Sequence, residues 1–152
     1  MDYESVRVVL REITVSVLQT AAFLLVDEED TELSENNVPD FRGASIQFSG
    51  FKEGRVILWM PAETADIAAR NMLGIDDDSE VNDKQRDDAQ MEILNMITGN
   101  LLTGIYGENV IFRLCIPEMV SNVELSESMT DTTAVLSVEE SPLVICIAIT
   151  EE

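Results

Sequence analysis

The stretch "MEILNMITGNLL", residues 91–102, places two polar side chains that could do chemistry within a strongly apolar run. Glu92 and Asn95 lie three residues apart, a spacing that brings both side chains to one face of a helix. A carboxylate can pair with a cation, and an amide can accept a hydrogen bond through its oxygen while it donates through its NH₂. Because the same spacing arises by chance on solvated helix faces, the interpretation depends on the surrounding residues.

Projected at about 100° per residue, residues 84–106 divide into two faces. The core face carries isoleucines and leucines: Ile93, Leu94, Ile97, Leu101 and Ile105. The opposite face carries mostly polar or small residues: Asp88, Glu92, Asn95, Gly99, Thr103 and Tyr106, with Met96 and Leu102 at its edges. A glycine at position 99 costs the helix roughly 1 kcal/mol relative to alanine. It also leaves a surface that another backbone can approach, whereas Gly104 lies nearer the core and is expected to serve helix packing.

The composition excludes several functional classes. Thirty acidic residues face nine basic ones, and the formal charge of −21 would repel nucleic-acid backbones and anionic lipid heads. The chain has no histidine, which removes serine–histidine triads and histidine-based zinc sites. No nucleic-acid partner is therefore predicted, and the acidic loops are interpreted as solvated connections rather than metal sites.

The cysteines, the first residues and the longest apolar run indicate the cellular compartment of the protein. Cys115 and Cys146 lie far apart in strand-like apolar runs, so we predict two buried free thiols. The first residues, "MDYESVR", are acidic, unlike the start of a secretory signal. The longest apolar run, residues 13–26, contains Gln19 and is too short to span a bilayer. These features predict a cytoplasmic protein without a membrane segment.

Hydrophobic periodicity predicts a mixed fold. The predicted helices are residues 3–25, 61–74 and 84–106, and the predicted strands are residues 44–50, 54–60, 109–117, 133–140 and 142–150. Acidic loops are predicted at 27–40 and 75–83; the second resembles a calcium-binding loop only in composition, because it lacks the glycine at the sixth position. Strands joined by hairpins are antiparallel. We therefore predict a single α+β domain, residues 1–152, with an antiparallel sheet of about six strands packed with three helices.

The third predicted helix resembles the signature helix of the CheC/CheX/FliY family of phosphatases in bacterial chemotaxis. The family pattern is an acidic or serine residue, three residues, Glu, two residues, Asn, and a proline some twenty residues later. Here Asp88, Glu92, Asn95 and Pro117 match it. Gly99, four residues after the asparagine, is similar to the CheX branch. The hairpin "GASIQFSGFKEGRVILWMP" and the following helix also resemble the family's opening strands and second helix.

The number of Glu/Asn pairs distinguishes the branches of this family. CheC carries the pair on two related helices, but here Glu12 is followed three residues later by Val15, and Glu63 by Asp66. One motif per chain is similar to CheX, and this resemblance implies a homodimer with one site per subunit. The apolar closing strands could pair across such an interface.

The resemblance also implies a reaction. The substrate would be a phosphorylated CheY-like receiver domain, with Asn95 orienting the attacking water and Glu92 pairing with the receiver's lysine. Further partner contacts are expected at Asp88, Met96, Gly99 and Thr103. The chain itself would bind no metal or cofactor, since the receiver would supply its own Mg²⁺.

Two alternatives remain open at the level of sequence. The same helix could serve a non-catalytic docking module that binds a receiver or a flagellar-switch partner. Alternatively, the chain could be an unrelated α+β domain in which Glu92 and Asn95 belong to a solvated face.

Overall fold

The computed structural model describes residues 2–33, 40–76, 79–120 and 132–150. Within these ranges, the chain forms three helices and six strands. They are α1 (Tyr3–Thr20), β1 (Phe41–Gly50), β2 (Glu53–Pro61), α2 (Ala62–Leu73), α3 (Asp83–Tyr106), β3 (Phe112–Leu114), β4 (Glu118–Val120), β5 (Thr133–Val138) and β6 (Ser141–Thr150). Parts of the two predicted acidic loops, residues 34–39 and 77–78, lie outside the described residues.

The strands form one open antiparallel sheet. Its order is β3–β1–β2–β6–β5, and β4 also pairs with β1 beside β3. Two hairpins, β1–β2 and β5–β6, supply much of the pairing. The third pairing joins the hairpins, since β2 lies against β6 from Glu53 to Trp59. The predicted α+β class, with three helices and a six-stranded antiparallel sheet, is confirmed.

Both faces of the central sheet are buried. Ile46, Leu58 and Ile145 face the helices and belong to the main core. Alternate residues on the other face, including Ile57 and Trp59, form a separate apolar cluster. Because neither face is left to water, the central strands read as nearly continuous apolar runs rather than as an alternating pattern.

Helix α3 begins with a capping box and is then fixed against the sheet. The Asn82 side chain accepts a hydrogen bond from the Gln85 backbone N–H at 2.8 Å, and the Gln85 side chain accepts one from the Asn82 N–H at 3.0 Å. Further along, the fully buried Gln90 donates from its amide nitrogen to the carbonyls of Arg42, at 2.8 Å, and Leu58, at 3.0 Å. One buried side chain therefore ties the helix to both β1 and β2.

The first helix is shorter than predicted. It ends at Thr20 rather than near residue 25, because the chain reverses at Phe23, whose φ is 53°. The Asn71 side chain of α2 holds this reversal by donating to the Ala22 and Phe23 carbonyls at 2.9 and 3.2 Å. The apolar residues that follow leave the helix and approach β5, where Val26 forms an isolated bridge with Val138.

The strand predicted at 109–117 is also corrected. Only residues 112–114 form β3, and a second short strand, β4, begins at Glu118. Leu114 pairs with Phe48 and Glu118 pairs with Ser45, so both strands lie along the same edge of β1. Pro117 lies between them and has no N–H with which to continue the ladder.

This interruption makes the prediction for Cys115 wrong. Cys115 lies in the connection between β3 and β4 and is exposed, although its thiol is free as predicted. Cys146 lies within the central strand β6 and is buried and free. Burial raises the pKa of the Cys146 thiol to about 11. Among the described residues, no helix is sufficiently long and apolar to cross a bilayer.

We predict that Gln90→Ala lowers the free energy of unfolding by about 1–3 kcal/mol, because it removes the buried amide that satisfies two backbone carbonyls. Urea unfolding followed by circular dichroism measures this change. Asn100→Ala is the matched control, since that exposed side chain donates to the Met96 carbonyl of its own helix and not to the sheet among the described residues. An equal loss of stability in both variants would contradict the anchoring role.

Candidate functional site

Helix α3 divides as its sequence predicts. Ile93, Leu94 and Ile97 are fully buried against the sheet, whereas Glu92 is exposed and Asn95 is half-buried on the outer side. The inward face follows the 3.6-residue period and leaves the carboxylate and the amide on the side away from the core.

The outer face of α3 meets the β3–β4 connection across a shallow groove of about 430 Å³. The helix contributes Asp88, Met91, Glu92 and Asn95. The end of β3 contributes Leu114, and the connection contributes Cys115, Ile116 and Pro117. The proline of the sequence pattern is thus adjacent to the Glu/Asn pair in space, although it lies on another element. Antiparallel pairing of β3 and β4 with β1 brings the connection to this position.

Glu92 and Asn95 differ from the polar residues around them. Arg86 and Asp88 are engaged within the chain: Arg86 donates to Asp66 at 2.8 Å, and Lys84 donates to Asp88 at 2.8 Å. The side chains of Glu92 and Asn95 form no ion pair or hydrogen bond with any other described residue. Since a half-buried amide without a partner is unfavourable, its hydrogen bonds must be completed by water or by another molecule.

Asp88, at the outer end of the groove, is already partnered. Its carboxylate accepts from Lys84 one helical turn earlier, and this hydrogen bond raises the pKa of the lysine. Both side chains are exposed, so the pair adds little stability. Lys84 therefore partly neutralises the negative charge of Asp88. Glu92 has no such ion pair among the described residues.

The other predicted contact residues lie on α3 outside the groove. Met96 is half-buried and packs against the main core, while Thr103 is exposed further along the helix. A Cβ added at Gly99 would meet no atom within 4 Å, whereas one at Gly104 would lie 3.2 Å from Val9 Cγ1 of α1. The structure thus places Gly99 on an open surface and Gly104 at the packing interface with α1, as the sequence predicts.

Tyr106 departs from its predicted outward position. Its ring packs against Phe51 and Phe112, with centroid distances of 5.7 and 5.3 Å, and burial raises the pKa of its hydroxyl. This cluster fixes the C-terminal end of α3 against the β1–β2 hairpin and β3. Leu102, predicted at the edge of the outer face, is also buried.

Sequence reasoning missed one groove residue of α3 and all of the opposite wall except Pro117. Met91, Leu114, Cys115 and Ile116 were not among the predicted site residues. A proline inside an apolar strand-like run was the available signal, because proline in a sheet marks an edge or a bulge. The groove itself depends on pairing between strands that lie far apart in sequence.

A match to a family model decides the family. The model described as chemotaxis phosphatase CheX matches residues 42–139. The chain belongs to the CheX family. The match includes the β1–β2 hairpin, α2, α3 and both short strands that border the groove.

Solved structures of CheX proteins share the fold. The chain resembles CheX of Desulfovibrio desulfuricans with a TM-score of 0.71 at 18% identity, covering 96% of this chain and 99% of that one. It resembles the CheX–CheY–BeF₃–Mg complex of Borrelia burgdorferi with a TM-score of 0.69 at 20% identity and 99% coverage of each chain. For CheX of Vibrio vulnificus the TM-score is 0.68 at 18% identity, with 93% of each chain covered. Comparison with curated protein sequences gives no match.

The groove beside α3 is smaller than another hollow of the structure. It is shallow and bounded by one helix and one strand connection. A larger hollow of about 580 Å³ lies elsewhere, between the start of α1 and the end of β6. Within the described residues, no group of three or more His, Cys, Asp or Glu side chains is arranged to hold a metal ion.

We predict that Gly99→Ala raises the free energy of unfolding by up to about 1 kcal/mol, because alanine favours the helix and the added methyl group meets nothing. Gly104→Ala should raise the free energy of unfolding by less, since its methyl group would crowd Val9. Urea unfolding of both variants measures the difference. A loss of stability in Gly99→Ala would show that this position is not open.

Proposed function

We propose that this chain hydrolyses the aspartyl phosphate of a CheY-like receiver domain in bacterial chemotaxis or a related two-component pathway. Membership of the CheX family supports a chemotaxis phosphatase at the level of the family. The one observation that carries the proposal for this chain is the groove in which the side chains of Glu92 and Asn95 have no hydrogen-bond or ion-pair partner among the described residues. The relative in complex with CheY supports a receiver as the occupant.

The available residues suit this reaction. An acyl phosphate is already activated, so its hydrolysis needs neither a covalent nucleophile nor a histidine base from this chain. The oxygen of a water forms a bond to phosphorus, the bond to the aspartyl oxygen breaks, and the protons of the water leave with inorganic phosphate. Positioning that water in line is the main contribution left to the phosphatase. The proposal assigns Mg²⁺ to the receiver, where it would neutralise phosphoryl charge.

Asn95 is the proposed positioning group for the attacking water. Its carbonyl oxygen can accept a hydrogen bond from the water, while its NH₂ can donate to a neighbouring group. The amide is neutral, whereas a carboxylate at this position would be repelled by the phosphoryl oxygens. Asn95 lies in the middle of α3, whose position is fixed by Gln90, so its placement does not depend on a loop.

Glu92 is proposed to dock the receiver. Its exposed carboxylate lies one turn before Asn95 and has no cation of its own chain beside it among the described ion pairs. A lysine of the receiver would supply the missing charge in a contact largely screened from water. Asp88, Met96, Gly99 and Thr103 are proposed as secondary contacts around this pair.

The proposal extends to assembly and location. We propose that the chain forms a homodimer with one groove per chain and that β5, the last strand in the order of the sheet, takes part in the interface. Val26 already bridges Val138 at the C-terminal end of this strand. The other closing strand, β6, lies between β2 and β5 and has no free edge. Receiver domains act in the cytoplasm, and the proposed activity implies that location for this chain.

We expect Asn95→Ala to slow phosphate release from a phosphorylated CheY-like receiver of the same organism by about a hundredfold, because the water loses its positioning group. Phosphate release under saturating receiver measures the rate, and a binding titration runs beside it. Asn100→Ala provides the control, because it removes an exposed asparagine from the same helix outside the groove. This control should retain the wild-type rate and affinity.

Other outcomes would identify a different function. Binding of a receiver without any acceleration by the wild type would favour the non-catalytic docking module. If neither activity nor binding is seen with any receiver of the organism, the phosphatase proposal is wrong.

The net charge of the chain predicts how its rate of association with the receiver depends on salt. A chain of formal charge −21 is not drawn to an acidic receiver by long-range attraction. Raising the ionic strength from about 0.01 to about 0.15 M shortens the Debye length from about 30 to about 8 Å. We therefore expect the association rate with the receiver, measured by stopped-flow fluorescence, to stay level or to rise. A steep fall would contradict this electrostatic account.

A further inference from the structure

The edge of the sheet contains one extra residue beside the groove. Between Leu114 and Glu118 the edge strand has three residues, 115–117, whereas β1 has only two, 46–47, between the corresponding partners. Three residues opposite two is the arrangement of a β-bulge, which bends a strand and redirects its side chains. Bulges occur preferentially at sheet edges and beside active sites.

The bulge displays an isoleucine. Ile116 is 91% exposed, although the backbone on either side of it is fixed. On one side, the Cys115 N–H donates to the Gln47 carbonyl at 2.9 Å. On the other side, Pro117 restricts the backbone and Glu118 re-enters the ladder with β1. Ile116 is thus held out from the sheet by paired backbone on both sides, and little conformational entropy remains to be lost when a partner covers it.

Ile116 lies in the same groove as the Glu/Asn pair. Three other apolar side chains, Met91, Leu114 and Pro117, border it there. When a partner covers them, apolar side chains around a polar pair exclude water from it. The two charged side chains in the groove, Asp88 and Glu92, are both acidic. Attraction for an acidic partner must therefore come mainly from burial of apolar surface.

We propose that the bulge at residues 115–117 presents Ile116 as an apolar anchor for the receiver domain whose phosphoryl group Asn95 approaches. This inference rests on the proposed function. It adds an apolar contact to the polar contacts proposed for Glu92 and Asn95. The receiver would present an apolar patch beside its phosphorylation site, while its lysine meets Glu92. Ile116 then contributes to the affinity, whereas the position of Asn95 is set by α3, which Gln90 fixes to the sheet.

A bulge with a proline also protects a sheet edge from pairing with other chains. That role depends on the backbone and on Pro117, and it is indifferent to the side chain at position 116. Substitution of Ile116 alone therefore separates the two roles.

The test is a titration of Ile116→Ser against CheY-like receivers of the same organism, each loaded with beryllofluoride and Mg²⁺. We expect the Kd to rise at least about tenfold, since full burial of an isoleucine side chain is typically worth more than a tenfold change in affinity. At saturating phosphorylated receiver, the rate of phosphate release should stay within about twofold of the wild type. Ile116→Leu should restore most of the affinity.

Ile111→Ser is the matched control. Ile111 is 86% exposed and precedes β3 on the same edge, but it does not line the groove. Its substitution should leave the Kd within about twofold of the wild-type value. An equal loss of affinity in Ile111→Ser and Ile116→Ser would overturn the anchor, because it would indicate a general apolar effect.

The two proposals fail in different ways. Wild-type affinity in Ile116→Ser overturns the anchor, even if Asn95→Ala abolishes turnover. Binding that depends on Ile116, with no phosphate release by the wild type, supports the anchor and overturns the phosphatase proposal.

Discussion

The two hydrogen bonds from the Gln90 amide determine which face of α3 is available. Apolar burial is not directional, so a stripe of isoleucines and leucines tolerates small rotations and slides of a helix on a sheet. Hydrogen bonds from one buried amide to the Arg42 and Leu58 carbonyls are directional, and they lie on two different strands. They specify both the rotation and the axial position of α3. A rotation by one residue, about 100°, would carry Asn95 away from the groove.

The ion pairs around α3 have a related consequence for the groove. Arg42 pairs with Asp87 and Arg86 pairs with Asp66, so these two ion pairs join the start of α3 to β1 and α2. Lys84 pairs with Asp88 within the helix. None of the described side chains that line the groove is basic. A phosphoryl group placed there would find hydrogen-bonding groups but no positive charge from these lining residues. In the proposed reaction, charge stabilisation therefore comes from the receiver and orientation comes from α3.

Much of the fold and one wall of the groove could be predicted from the sequence. The period of α3 and its inward face follow directly from the spacing of its apolar residues, and both hairpins follow from short apolar runs joined by tight turns. The predictions failed where a distant side chain or strand determines the local backbone. Asn71 stabilises the reversal at Phe23, so that α1 ends before the apolar run does. A one-residue bulge divides the edge strand and exposes Cys115. Local periodicity carries no information about such contacts.

The place of β6 in the sheet has a consequence for biosynthesis. This strand, residues 141–150, is the last in the described chain, yet it lies between β2 and β5 and pairs with both. While a ribosome is still translating it, β2 and β5 have no partner on that side, and the apolar surfaces of β2 remain incompletely covered. The nascent chain can form its helices and the first hairpin early, but the sheet closes only after these residues emerge. The pairing of β2 with β6 is therefore a long-range contact, and its formation carries a loop-closure cost that the two local hairpins do not.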